Sequence, residues 1–180
     1  LKIALGGYAV GVFIGVPLGI AMAWSRKFEM FAMPLFNLIR PVPALAWIPL
    51  MILWLGIGYL SKVGIIFFAA FISATINSYT GIKKTNQVHL WVARTFGATN
   101  RQMLFKVAIP TALPMIFTGL RLALGSSWVA LVAAEMLAAT RGVGYMIYVG
   151  RMLGRPDIII VGMITIGGIG LIMSYGLEKL

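Results

Sequence analysis

The chain has 180 residues, of which 61% are hydrophobic and 11% charged, and its mean hydropathy is +0.97. Soluble domains carry about 25% charged residues, so a water-soluble globule is excluded, and the same apolarity excludes disorder. The net charge is +11, from 15 Lys and Arg against 4 Asp and Glu, and the lack of Cys removes disulfides and thiol chemistry.

The length suits a single domain over 1–180, or five to six spans in a membrane. The chain starts at Leu1 and ends abruptly at Leu180, so it is expected to be a trimmed core. Residues 1–25 are longer than the apolar core of a signal peptide, and none is read there.

A bilayer crossing needs about 20 apolar residues. The first predicted span is Ile3–Ser25, 23 residues without a charge. It carries Gly7, Gly11, Gly15 and Gly19 at a spacing of four, on one helical face. Such a face admits a second helix at close range. A packing seam within the chain is expected, with a dimer contact as the alternative. Pro17 is tolerated where neighbours satisfy the backbone.

Residues 28–39, FEMFAMPLFNLI, are apolar but short and contain Pro34. They read as an interfacial helix leading into the second span. That span is Pro41–Ser61, 21 uncharged residues opening on RPVPALAWIP, Arg40–Pro49. Pro41, Pro43 and Pro49 exclude a continuous regular helix. Irregular backbone survives at membrane depth only against protein or a water-filled cavity. The stretch is therefore either pathway lining, with Arg40 beside it, or a proline-bent approach at the interface.

The third span is Val63–Ile82, 20 uncharged residues. Thr75, Asn77 and Ser78 are its candidate cavity-lining groups. The fourth, Thr111–Thr140, is apolar except for Arg121 and Glu135, and Ser126, Ser127 and Trp128 are further candidates. Arg121 lies about 12 Å past Pro114 at helical rise. Intramembrane charges face the bundle or water, so Arg121 either attracts an anion or bonds carbonyls structurally. Glu135 lies near the outer end, within reach of Arg141. Arg141–Asp157 holds three Arg and four Gly and reads as a basic, flexible loop. Ile158–Leu177 is the fifth span. Backbone satisfaction in lipid makes all five helices, since barrel strands would alternate apolar and polar residues.

Lys and Arg in short loops set orientation. With 26–40, 83–110 and the C-terminus inside, nine cations are inside: Arg26, Lys27, Arg40, Lys83, Lys84, Arg94, Arg101, Lys106 and Lys179. Five are outside: Lys2, Lys62, Arg141, Arg151 and Arg155. The N-terminus is expected outside and the C-terminus inside.

The loop Lys83–Pro114 is basic and amphipathic, which suits docking of a partner or lying on lipid. Its Val92, Ala93, Gly97, Val107, Ile109 and Pro110 resemble the loop of permease subunits of binding-protein-dependent ABC importers. That pattern is Glu-Ala-Ala, three residues, Gly, nine residues, then Ile-x-Leu-Pro. Here Trp91 stands in place of the Glu, while the spacing is kept. RPVPALAWIPLMILWLGIG, ARTFGA, IPTALPMIFTGLRLALG and VAAEMLAATRGVGYMI are similar to the nitrate, bicarbonate, alkanesulfonate, taurine and pyrimidine-precursor branch. The resemblance covers nearly the whole chain.

It implies a type I importer transmembrane domain with a cytoplasmic coupling helix, in a bacterial cytoplasmic membrane. That helix would be Ala93–Asn100, within a coupling loop of about 83–110. Trp91, Val92, Ala93, Arg94, Thr95, Phe96, Gly97, Ala98 and Pro110 are the implied contacts to an ATPase subunit. Phe96 would be the aromatic anchor and Arg94 the charged one. The resemblance also implies a second permease copy or paralogue and a periplasmic or lipid-anchored binding protein, which Glu135 is placed to meet. ATP and Mg would be bound by the partner ATPases, with no cofactor in this chain. Nitrate, bicarbonate, sulfonate or taurine is the implied class of solute.

Enzymatic roles are not expected. There is no G-x-x-x-x-G-K-[ST], so no P-loop, and Gly142-Val143-Gly144 is an incomplete echo of G-x-G-x-x-G. His89 has no cluster of His, Cys or acids around it in sequence, so no metal site is expected. No nucleic-acid role is read, because the positives sit between apolar runs. The rival reading is an ion-gradient transporter or channel, which would need intramembrane acids or a broken-helix ion site. Glu135 is the one acid within a span, and the proline-rich second span is the feature in that rival's favour.

Overall fold

The structure is a computed structural model that describes residues 2–178. Lys179, counted above for orientation, lies outside the described residues. Among the described residues there are nine α-helices and no strand, as the all-α reading expects. They are α1 (Lys2–Trp24), α2 (Arg26–Ile39), α3 (Ile48–Leu55), α4 (Tyr59–Lys83), α5 (Gln87–Thr95), α6 (Asn100–Met103), α7 (Ile109–Ala138), α8 (Val143–Met152) and α9 (Pro156–Glu178).

Four helical stretches are long and apolar enough to cross a membrane: Lys2–Trp24, Tyr59–Lys83, Asn100–Leu137 and Pro156–Gly176. The fifth crossing is not the single helix expected over Pro41–Ser61. It is a pair, Arg26–Ile39 and Ala44–Leu55, bent by 78°. Pro41 and Pro43 supply no backbone N–H, so α2 ends at Ile39 and the chain restarts in a 3-10 turn, Ala44–Trp47. Gly56, at φ 73°, then stops α3.

The interfacial helix expected over 28–39 is also corrected. α2 runs back along α4. At its first turn Glu29 accepts from Tyr79 Oη and from Lys83 Nζ, the latter at 2.7 Å. Further on, Phe36 meets Phe71 edge-on with ring centroids 6.2 Å apart. Beyond the bend Trp47 stacks on Phe68 at 4.6 Å. Contacts thus climb α4 from its last turn to its middle. Arg40 therefore sits at mid-helix depth, not among the loop cations of one end. α2 is amphipathic, as a surface helix would be, and its path along α4 is set by the contacts of Glu29 and Phe36.

The glycine face of α1 packs on α4 within the chain, and the two helices run parallel. A Cβ at Gly7 would sit 2.7 Å from Ile66 Cβ, and one at Gly11 would sit 2.7 Å from Ala70 Cβ. Gly15 lies against Ala74, and Gly19 against Ser78 and the carbonyl of Thr75. Four glycines spaced by four on α1 meet 66, 70, 74 and 78 on α4, also four apart. Close approach without large side chains is how helices associate in lipid.

α7 crosses back antiparallel to α4. Gly81 lies against Ala112 and Met115, Gly119 against Asn77, and Ser73 Oγ is 3.4 Å from Ser126 Oγ. α9 is clamped to α7 where Trp128 Nε1 donates to Ile166 O at 3.2 Å. The expected span Thr111–Thr140 is the core of a longer rod. A π turn, Leu104–Ala108, joins α6 to α7. Pro110 brings no N–H and crowds the carbonyl four residues before it, which widens the helix at that point.

The flexible loop expected over Arg141–Asp157 is instead mostly the helix α8. Gly144 lets α8 press against Val132 and Glu135 of α7, and Gly150 packs on Ile158 of α9.

Candidate functional site

The loop after α4 builds a rigid knuckle. Asn86 caps α5, its Oδ1 accepting from Val88 N–H at 3.0 Å. At the other end Ala98 N–H donates to Ala93 O at 3.0 Å, and Gly97 N–H to Arg94 O at 3.0 Å. With Gly97 at φ 76°, this is a Schellman stop. Thr99 then starts α6 in a capping box with Gln102, each using the other's backbone N–H. The helix expected over Ala93–Asn100 is therefore corrected. α5 ends at Thr95, and Gly97 turns the chain because only glycine adopts that φ without strain.

The expected contact residues fall on this knuckle with one exception. Trp91, Val92, Arg94 and Thr95 are exposed, Ala93 and Ala98 half-buried, and Phe96 stands 88% exposed at the tip. Thr95 Oγ1 donates back to Trp91 O and Val92 O, so it stabilises α5. Pro110 lies at the base of the rod, away from the tip. Between Trp24 of α1 and the faces of α5 and α6 opens a cleft of about 250 Å3, lined by Leu90, Trp91, Arg94 and Met103 among others.

A second feature opens at mid-depth. The α2–α3 bend, α4 and α7 enclose a cavity of about 440 Å3 that is open on one side. Arg40 lines it beside Pro43, Leu45, Ser73 and Ser126. Ser126 Oγ donates to Ala69 O at 3.1 Å, which ties it to the α4 wall. Arg121 lies on another face, exposed, with Gly125, Trp128, Gly170 and Ser174 around a small hollow of about 60 Å3. Among the described residues no ion pair forms to Arg40 or Arg121.

Other predicted pathway residues are placed elsewhere. Thr75, Ser78 and Ser127 are fully buried between helices rather than lining a cavity. Their hydroxyls have no hydrogen-bond partner among the described residues. Asn77 donates to Ser73 O at 2.8 Å and packs on Gly119. Trp128 clamps α9 as described.

Glu135 turns neither to Arg141 nor outward. Its Oε2 accepts from Gly144 N–H at 3.1 Å, in the first turn of α8. A Cβ at Gly142 would collide with this carboxylate. Glu135 thus caps α8 from α7. Glu135→Ala is expected to cost about 1 kcal/mol, the usual worth of a cap, and to loosen α8. Faster amide exchange across Val143–Met152, with α1 unchanged, checks this.

The Glu29–Tyr79–Lys83 cluster is not among the sequence expectations. Glu29, Phe36 and Arg40 stand at i, i+7 and i+11, one face of a helix, and that spacing is the available signal. Among the described residues no group of three His, Asp or Glu is arranged to hold a metal.

These features define a multi-spanning helical membrane subunit that carries a preformed, exposed knuckle and a mostly apolar cavity into which Arg40, Ser73 and Ser126 bring polar groups. The chain belongs to the family of binding-protein-dependent transport system inner membrane components, whose model matches residues 15–177. It is 40% identical over 179 residues to MJ0413 of Methanocaldococcus jannaschii, covering 99% of this chain and 67% of that protein. It is 40% identical over 179 residues to the taurine transport system permease protein TauC of Escherichia coli, covering 99% and 65%. The bicarbonate transport system permease protein CmpB of Synechococcus elongatus is 33% identical over 169 residues, covering 93% and 61%. The chain thus spans about two thirds of the length of these relatives. Its fold matches a chain of the MetNI methionine ABC transporter, solved in inward-facing conformations, with a TM-score of 0.78. That match has 19% identity and covers 99% of this chain and 91% of the other. Family members are transport components, and the ion-gradient alternative is set aside on this ground.

Proposed function

We propose that this chain forms the translocation pathway of an ATP-driven importer and takes its power stroke at the Gly97 knuckle. The observation that supports this is the knuckle itself. An exposed Phe96 is held between two capped helices, in a chain that has no nucleotide-binding loop. Separate ATPase subunits bind ATP and Mg and dock there. A second permease copy or a paralogue completes the pathway, and a periplasmic or lipid-anchored binding protein delivers the solute at the α8 end. The chain makes no covalent step. It couples two pathway states to partners that bind those states differently.

The knuckle end faces the cytoplasm of a bacterial inner membrane. With Arg40 at mid-depth and Lys179 set aside, seven cations remain at that end against five at the other. The solute is a small anion of the sulfonate, taurine, bicarbonate or nitrate class. Arg40, which forms no ion pair among the described residues and faces the open cavity, is the cation it meets, while Arg121 stands on another face. Arg40→Gln is expected to lower uptake of such an anion at least tenfold while leaving assembly intact. Uptake in vesicles together with intact co-purification checks this.

The importer reading is tested by purifying the full-length protein in mild detergent, as wild type and as Gly97→Asp. A P-loop ATPase bound to wild type and lost from the variant is the expected result. If no ATPase is retained where a known transporter keeps its own, the importer reading is wrong.

A further inference from the structure

One cleft belongs neither to the knuckle nor to the cavity. It lies between α1 and α2 and has a volume of about 260 Å3. Its walls are wholly apolar, formed by Leu18, Phe28, Phe31, Leu35, Ile39, Phe71 and two further residues of α2. Phe31 and Leu35 remain exposed within it. From Phe28 to Ile39 the cleft runs eleven residues of helix, about 16 Å. One leaflet of the hydrocarbon core is about 15 Å deep. The cleft therefore has the length of one leaflet, starting at the knuckle end.

Its mouth has a distinct chemistry. Arg26 and Lys27 directly precede Phe28 and are both exposed. Trp24, which ends α1, is an aromatic at the same level, as at membrane interfaces. Glu29, the acid of this turn, is engaged by Tyr79 and Lys83 on α4. Arg26 also feels the Glu29 carboxylate, while exposed Lys27 forms no ion pair among the described residues and is left to face an outside anion, with Arg26 beside it.

We propose that this cleft binds one acyl chain of an anionic phospholipid, with the headgroup on Arg26 and Lys27. An apolar slot of leaflet length under a basic, tryptophan-flanked mouth matches that molecule along its whole length. An extended peptide would need partners for its backbone groups, which these walls do not offer, and a helix, which satisfies its own, is an alternative that crosslinking distinguishes. The lipid would sit between α1, locked to α4, and α2, the arm that carries Arg40. The inference rests on membrane residence alone and stands whether or not the solute is an anion.

The test uses the full-length protein with a photoreactive benzoylphenylalanine at Leu35, in vesicles of equal dioleoyl phosphatidylglycerol and dioleoyl phosphatidylcholine. Adducts are identified by mass spectrometry. A basic residue near an anionic surface contributes about fivefold in affinity, so two contribute about 25-fold. Phosphatidylglycerol adducts are expected to exceed phosphatidylcholine adducts by about that factor. Arg26→Gln with Lys27→Gln should bring the ratio near one while total lipid labelling persists. The same probe at exposed Leu53 should label both lipids equally. Equal labelling at Leu35 in the unmodified mouth overturns the proposal. So do adducts to any protein segment, of this chain, a second copy or another subunit, in place of lipid.

Discussion

Replacing Phe96 with Asp is expected to abolish ATP-driven uptake while leaving the membrane fold unchanged. The side chain is 88% exposed, so its loss removes almost no internal packing. The knuckle is held by backbone hydrogen bonds from Gly97 and Ala98 and by the Thr99–Gln102 box, none of which uses the Phe96 ring. An aromatic anchor at the centre of an interface is worth about 2–4 kcal/mol, or about 30- to 1000-fold in affinity. A carboxylate there adds a desolvation cost. Uptake, solute-stimulated ATPase turnover and the thermal midpoint in detergent should be measured together. Undiminished uptake by the Phe96→Asp variant would remove the knuckle from the coupling path. A large drop in midpoint would show that the residue is structural.

The second large effect is expected at Gly19. A Cβ there would run into the carbonyl of Thr75 and lie 2.9 Å from Ser78 Cβ and 3.0 Å from Tyr79 N. Two of these three atoms are backbone, so no rotamer change relieves the clash and α1 must move off α4. Gly19→Val is expected to cost about 3 kcal/mol or more, at the upper end of overpacking. Gly6 supplies the control on the same helix. Its nearest neighbour would be Tyr59 Oη at 3.5 Å, an ordinary contact. Gly6→Ala should leave the thermal midpoint unchanged, whereas Gly19→Val should give little folded protein. Equal stability of the two variants would contradict the α1–α4 packing.

Particular residues show what is legible in the sequence. The uncharged runs of the first, third and fifth spans locate α1, α4 and α9, because lipid leaves a long apolar segment few alternatives. The glycine period of α1 identifies its packing face, since small residues every four positions admit a close helix, while the choice of α4 over a second copy as that helix comes from the structure. Pro41 and Pro43 announce a break but not the path on either side. The path of α2 escapes the sequence because hydropathy cannot tell an interfacial apolar helix from half of a broken span. The loop between α4 and α7 is marked by its spacing, yet its helices fall elsewhere than expected. The expected helix runs through Gly97, although a Gly followed by Thr-x-x-Gln signals one helix ending and another beginning. Thr75, Ser78 and Ser127 are assigned to the pathway by depth alone. Depth does not fix facing, and small hydroxyl residues fit a close helix contact as readily as a wet wall. α8 is hidden by its glycines, which serve contact with α7 and α9 rather than flexibility.

The joining of α6 to α7 through the π turn has a mechanical consequence. Asn100–Leu137 is 38 residues of nearly continuous helix, about 57 Å long. The hydrocarbon core is about 30 Å thick. The helix is therefore a lever arm whose lower part projects beyond the bilayer beside the knuckle, while Glu135 fastens α8 to its upper end. Under the proposed function, a push on the knuckle would apply torque to a beam about twice as long as the barrier it crosses. The π turn at Leu104–Ala108 is the one break in the regular hydrogen bonding of that beam among the described residues, and we expect it to be the joint. Shortening the beam below the joint would rotate its grip by about 100° per residue removed, and would change the direction of the stroke more than its size.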